Sequence, residues 1–294
     1  MKITEQEPYR SFLGSKKSPE TVRTYASILR IAREELGKEV HEATDEELEK
    51  FILNCRDIRK MSSVTLGTYK AGIGSFFKYL VKHKIRKDDP SVLAREIDTG
   101  KRSKVNPKAL TEEQRQKVLD ALVWDGGLKD YQMSLAVLFG FKQGFRRFEI
   151  AKVEWDHINW DDRELFVLGK GAKEATVRMS KELYDRLKDY RMLVDKAKVD
   201  SRWVLFNIGN PSKHQNKEVV ASWYRAIGKR CGLDAKAHFT THSGRHVFCT
   251  TLHEKGVADM TAIQMTRHES VEMLKRYSRV FKKEVNSEFD RAID

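Results

Sequence analysis

Four short patterns in the second half of the sequence hold side chains that can grip an anion and react at it. Gly144-Phe145-Arg146-Arg147-Phe148-Glu149 closes an apolar run from Leu135 to Phe141 and sets an arginine one helical turn ahead of a glutamate. Lys170 stands in the turn Gly169-Lys170-Gly171-Ala172-Lys173. His242-Ser243-Gly244-Arg245-His246 comes next, then Arg267-His268-Glu269, with Tyr277 nine residues beyond His268. A guanidinium offers paired, permanently charged N–H donors to phosphate or carboxylate oxygens. Imidazole exchanges protons near neutral pH, and a phenol becomes a nucleophile where cations favour the phenolate. Each pattern alone also has a plainer reading. Arginine and glutamate at this spacing often form a helix-surface pair, a lysine in a glycine-rich turn is usually solvated, and tyrosine ending an amphipathic turn is ordinarily core packing. A zinc site on His242 and His246 lacks the glutamate that should follow the first histidine, where Ser243 stands, and has no third ligand obviously placed.

Helices must carry most of these groups. In the first hundred residues Ser18-Pro19-Glu20 reads as an N-cap with proline at the first helical position, ahead of Val22, Tyr25, Ile28, Leu29 and Ala32 at helical spacing. Thr44-Asp45-Glu46-Glu47 is a capping box that opens a helix through Leu48, Phe51 and Ile52. A third helix carries the stripe Ile73, Phe76, Phe77, Leu80 and Val81. Together they predict a small bundle ending before Asp88-Asp89-Pro90. The stretch from Asp98 to Lys108 has no apolar periodicity but four basic side chains, and reads as a linker. A second capping box, Thr111 to Gln114, opens the next region. There Leu165–Leu168 and Ala175–Met179 flank the glycine-rich turn as a β-hairpin, and Trp203–Phe206 is a candidate strand. A helix starting near Ser243 puts His242 and Arg245 about one turn apart. The last residues place Phe281, Val285, Phe289 and Ile293 four apart, a narrow stripe if helical.

The fold class expected is mainly α (α+β): an N-terminal helical bundle and a mostly helical second domain with a small antiparallel hairpin. The 294 residues suit two domains. No apolar run reaches membrane-spanning length and the first residues lack the apolar stretch of a signal peptide, so a soluble, cytoplasmic protein without membrane contact is expected. The three cysteines Cys55, Cys231 and Cys249 have no metal-ligand spacing and are expected as free thiols. With 56 Lys+Arg against 43 Asp+Glu the formal charge is +13, which suits a polyanionic partner but by itself also fits a solvated basic surface.

Taken in order and spacing, the patterns resemble the tyrosine recombinase family, the lambda-type integrases, Cre and the Xer proteins. The likeness covers nearly the whole chain. It implies a SAM-like core-binding domain over residues 1–97, including the segment SPETVRTY, then the basic linker 98–108 and a catalytic domain over 109–294 with a tail helix at 281–294. Six positions match the family's motifs: Arg146 in G-x-R-x-x-E, Lys170 in G-K-G, His242 and Arg245 in H-x-x-R, His268, and Tyr277 as the nucleophile. The chain departs from the pattern at Thr266-Arg267, where Leu-Gly is usual, within His242–Thr250, and near Ala175, where an arginine often follows the hairpin turn.

The resemblance implies cleavage and rejoining of duplex DNA at specific sites through a 3′-phosphotyrosine, with no cofactor, metal or ATP. Arg146 and Arg245 would meet the charge that builds on the non-bridging oxygens. His242 and His268 would add hydrogen bonds to the phosphate, and His242 can take the tyrosine proton. Lys170 would be the general acid for the leaving 5′ oxygen, with Lys173 the competitor in the same turn. Glu149 is read as orienting Arg146 or its helix, because a bare carboxylate beside the phosphate would oppose binding. Self-association on DNA, with four sites brought together, follows from exchange between two duplexes; the tail packs either on its own domain or on a neighbouring subunit. Two other classes stand beside this one. A type IB topoisomerase-like enzyme shares the residues, but the two-domain length and the SPETVRTY bundle favour recombination. A non-enzymatic DNA-binding protein predicts missing catalytic side chains, and none is missing.

Overall fold

The structure is a computed structural model, and it describes residues 2–100, 110–168, 174–233 and 239–268. Lys170, Lys173, Tyr277, most of the linker and the C-terminal tail lie outside the described residues. Two compact units divide the chain, Met1–Lys104 and Val105–Asp294.

The first unit contains α1 (Tyr9–Gly14), α2 (Pro19–Leu36), α3 (Asp45–Asp57), α4 (Ser63–Lys82) and α5 (Ser91–Glu96). Local capping chemistry sets the starts. Ser18 accepts from the N–H of Thr21 ahead of Pro19, and Thr44 and Glu47 exchange both hydrogen bonds of a capping box. The apolar stripes close on one core that includes Phe12, Leu29, Phe51, Phe76 and Phe77. The bundle does not stop before Asp88-Asp89-Pro90. Asp89 caps the next turn by accepting from the N–H and hydroxyl of Ser91, and α5 follows with Ala94 buried in the same core. Proline at the position before α5 continues the chain into a helix rather than ending the bundle.

The second unit opens with α6 (Glu112–Asp120), whose cap Thr111 forms the expected capping box with Gln114. Then come α7 (Leu128–Gln143), α8 (Arg147–Ala151), β1 (Ile158–Asn159), β2 (Glu164–Leu168), β3 (Glu174–Arg178) and α9 (Lys181–Lys196). The chain ends its described part with β4 (Phe206–Asn207), β5 (Asn210–His214), α10 (Lys217–Arg230), α11 (Thr241–Glu254) and α12 (Asp259–Thr266). The hairpin of β2 and β3 pairs Leu165 with Val177 and Phe166 with Thr176, and β1 adds a third antiparallel strand. The candidate strand at Trp203–Phe206 shrinks to Phe206–Asn207, paired with β5, while Trp203 makes only an isolated bridge to Glu154. Val204 and Leu205 are buried in the core, and the segment's backbone bonds are divided between two partners, Val204 N–H donating to the Val153 carbonyl and Gln215 N–H to the Leu205 carbonyl, so no long ladder forms.

Helix α7 is the centre of this unit, apolar nearly all round and buried from Tyr131 to Phe141. Against it α11 packs closely because both helices present glycine at the crossing. A Cβ on Gly140 would lie 2.1 Å from the Tyr224 hydroxyl and 3.3 Å from the Gly244 Cα. That hydroxyl is buried and donates to the Ala136 carbonyl at 2.8 Å. Gly140→Ala should therefore destabilise the chain by about 2 kcal/mol or more, from overpacking and a displaced buried hydroxyl, although alanine gains roughly 1 kcal/mol in helix propensity. Chemical denaturation checks this, and Tyr224→Phe in the same chain should restore part of the loss. A stabilised Gly140→Ala protein would mean that the helices do not meet so closely.

Candidate active site

The end of α7 sets the first site residue. Gly144 takes a left-handed conformation (φ 61°), and the N–H groups of Gly144 and Phe145 fold back onto the carbonyls of Gly140 and Phe139. Phe139 and Phe145 stack at 5.5 Å across that reversal. Arg146 is then the N-cap of α8, at a sharp junction between two helices. Glu149, one turn on, accepts from the Arg146 backbone N–H at 2.7 Å and from its guanidinium at 3.0 Å. Its side chain is wholly buried, so this is no surface pair, and both orienting roles expected of Glu149 rest on the same carboxylate.

Helix α11 begins two residues earlier than Ser243, capped by Thr240. Arg245 is 3% exposed and donates to the carbonyls of Gly144, at 2.6 Å, and of Thr266. Burial and the Arg146 charge push its pKa down to about 10, which leaves it charged at neutral pH. His242 is exposed at its surface, yet partial desolvation and the charges of Arg245, Arg147 and Arg146 lower its pKa. His246 is buried instead and hydrogen-bonds Thr250, so the two histidines of the zinc reading occupy different surroundings.

The C-terminus of α12 holds these parts together. The Thr266 carbonyl accepts from Arg245 and the Arg267 carbonyl accepts from Arg146 at 3.4 Å. The Thr266 hydroxyl donates to the Ala262 carbonyl at 2.7 Å and meets His268 Nδ1 at 2.6 Å. The bond to Nδ1 ties the His268 ring to the end of α12. Arg146, Arg245 and His268 are thus gathered at one place, with His242 under their field. The sequence pattern Arg267-His268-Glu269 marks this segment, but it gives Arg267 no role, and the backbone carbonyls of Thr266 and Arg267 have no side-chain signal at all.

His268 is 8% exposed, and burial first, then Arg245, Arg146 and Arg267, lowers its pKa to about 4. An unfolded histidine titrates near 6.5. Between these values the unfolded chain binds a proton that the folded chain refuses, so this contribution is fully present above about pH 6.5 and is lost as pH falls towards 4. Its ceiling is about 3 kcal/mol. Stability measured from pH 7 to 4 should fall less steeply for His268→Gln than for the parent; equal slopes would place the histidine's titration elsewhere.

The hairpin reaches the same region. Phe166, Val167 and Leu168 at the end of β2 line a cavity of about 270 Å³ together with Phe145 and Glu149, and Leu168 is the last described residue before the segment 169–173 that includes Lys170 and Lys173. Among the described residues no group of three His, Cys, Asp or Glu side chains could hold a metal ion, and no helix is long and apolar enough to cross a membrane.

Known proteins share this organisation. Residues 108–284 match the model of the phage integrase family, and residues 9–87 match a phage integrase N-terminal SAM-like domain. The chain is 26% identical to the tyrosine recombinase XerC of Lactobacillus leichmannii over 300 residues, 98% of each chain. It is 25% identical to the tyrosine recombinase XerD of Brucella suis biovar 1 (strain 1330) over 226 residues, 74% of this chain and 72% of the relative. Its fold is that of a lambda integrase dimer bound to a COC' core site, with TM-score 0.69, 18% identity and 94% of each chain covered. With one family model running from the start of α6 past Tyr277, over more than half of its length, the chain belongs to the phage integrase family.

Proposed function

We propose that this protein is a site-specific DNA recombinase that cuts and rejoins duplex DNA through a covalent bond between Tyr277 and a backbone phosphate. The observation that carries the reading is the convergence of Arg146, Arg245 and His268 on the ends of α7 and α12, with Arg245 held by two backbone carbonyls. Two preorganised guanidiniums supply the charge that a phosphorane transition state needs. In the proposed step the Tyr277 oxygen attacks phosphorus and loses its proton to His242. The bond to the 5′ oxygen breaks, and Lys170 delivers a proton to that oxygen. A 3′-phosphotyrosine remains, and a 5′ hydroxyl from another strand reverses the step without ATP. His268, neutral and held through Nδ1, orients towards the phosphate as a hydrogen-bonding partner. The cavity shared by β2 and Glu149 supports a lysine in the following turn as the acid.

In this reading residues 1–97 bind the core site, 98–108 cross the phosphate backbone and 109–294 catalyse. The partners are duplex DNA carrying recombination sites and further copies of the chain in a synaptic tetramer, with the tail at 281–294 packing either on its own domain or on a neighbouring subunit. The positive charge of +13 fits the electrostatic part of that binding. The test is to incubate the purified protein with a library of nicked duplexes in saturating EDTA, trap adducts and sequence them. Covalent protein–DNA adducts at a defined sequence are expected; their absence with every duplex would sink the reading. Lys170→Ala should slow cleavage, and a substrate with sulfur at the bridging 5′ position should restore it, since a thiolate leaves without a proton. The same pattern at Lys173 instead would move the acid there.

A further inference from the structure

Arg267 occupies a position built for glycine. Helix α12 ends in a Schellman motif, with the N–H of Arg267 bonded to the Gln264 carbonyl and that of His268 to the Ile263 carbonyl. The residue between has φ 55° and ψ 43°, the left-handed conformation that a Cβ disfavours. Its side chain turns inward, only 11% exposed, and donates to Glu149 Oε2 at 2.9 Å. The guanidinium lies over the Phe145 ring, 4.7 Å from its centre, and its Nε and Nη1 groups are buried with no hydrogen-bond partner among the described residues. Backbone strain, a desolvated charge and two unmet donors all work against the folded state. A residue that carries such costs at a catalytic cluster is placed for something other than stability.

Its contacts say what. Glu149 is the wholly buried carboxylate that grips Arg146 through two donors. Those two residues alone would form a neutral pair, and a neutral pair draws an anion weakly. Arg267 shares Oε2 with the Arg146 backbone N–H, so the trio is cationic. At the same time its carbonyl receives the far end of the Arg146 guanidinium. The Arg146 side chain stays 27% exposed, with its remaining donors available to a ligand.

We infer that Arg267 is a positioning residue for the cleavage step: its guanidinium offsets the Glu149 charge and its carbonyl steers Arg146, so that Arg146 meets a phosphate as a net cation in a fixed pose. This rests on the recombinase reading above. It assigns Arg267 no contact with DNA, and it predicts an unusual combination of effects.

Arg267→Gly keeps the left-handed backbone and the carbonyl but removes the guanidinium. Its melting midpoint should equal or exceed that of the parent and its affinity for a cleavable site should stay within about threefold, while the first-order cleavage rate at saturating nicked duplex falls. A directly acting oxyanion donor is worth about 10²–10³ in rate, so a charge acting through Glu149 should be worth about tenfold to a hundredfold. Arg267→Lys should recover part of that loss. In a Glu149→Gln background, where no carboxylate needs offsetting, Arg267→Gly should cost little further. A merely structural role gives the opposite: activity lost in step with a lower melting midpoint, and undiminished in the Glu149→Gln background. Either that pattern or a parent-like rate for Arg267→Gly overturns the inference while the recombinase reading stands. A parent protein that forms no adduct overturns the reading and this inference together.

Discussion

Tyr277→Phe should form no covalent adduct with any duplex, while binding the same sites within about twofold of the parent protein. The substitution removes one oxygen and keeps the ring, so the phosphate contacts proposed for Arg146 and Arg245 should be unaffected. A free phenol titrates near 10, and at neutral pH it becomes a nucleophile only where cations favour its ionised form. In the proposed site that bias comes from Arg245 and Arg146, whose charges add to the larger effect of burial in lowering the pKa of His268 and His242. A phenolate would be favoured by the same field that disfavours imidazolium, since the two charges have opposite signs. Gel separation of denatured protein–DNA complexes on a nicked duplex measures the outcome. An adduct from Tyr277→Phe would put the nucleophile on another residue, and loss of binding together with cleavage would make Tyr277 a packing residue.

How much of this was readable beforehand depends on whether the determinant is local. Helix starts at Pro19, Asp45 and Glu112 follow from side chains that reach the backbone within one turn, and each cap is present with its hydrogen bond. The hairpin follows from two short β-prone runs on either side of a glycine-rich sequence, and β2 and β3 pair antiparallel. Non-local determinants were hidden. The segment at Trp203 has strand-like residues, but its backbone bonds are divided between Val153 and Gln215, partners about 50 and 10 residues away that no local pattern reveals. Helix α5 is only six residues long, too short to announce itself by periodicity, and depends on Asp89 and on burial of Ala94. At the site, the arginines and histidines are visible as residue types, whereas their restraints come from carbonyls of Gly144, Thr266 and Arg267, which no side-chain pattern encodes. The burial of Arg267 belongs to the same class. A left-handed arginine at a helix end cannot be told from a surface residue until Glu149 and Phe145 are seen beside it.

Those carbonyl restraints make Arg245 the position where charge and geometry separate most cleanly. Arg245→Lys keeps a cation on a stem of similar length, yet it should retain less than about 1% of the parent's cleavage rate, in line with the factor of 10²–10³ for one lost oxyanion donor. The guanidinium commits one nitrogen to Gly144 and another to Thr266, and these fix the plane in which its remaining donors face the site. An ammonium has no plane and fewer donors, and in this buried place, beside Arg146, it sheds its proton far more readily than a guanidinium does. Stability should change much less than rate. Removing the guanidinium leaves two buried carbonyls short of a donor, at about 1–3 kcal/mol each. It also relieves a desolvated charge that the folded state already holds at a disadvantage, as the lowered pKa shows. Arg245→Met should accordingly stay folded, with a loss of about 2 kcal/mol, and cleave no better than the lysine variant. Single-turnover cleavage and denaturant unfolding of both variants separate the two contributions. If Arg245→Lys cleaved within tenfold of the parent, a point charge would suffice there, and the carbonyl clamp from α7 and α12 would have no part in the chemistry.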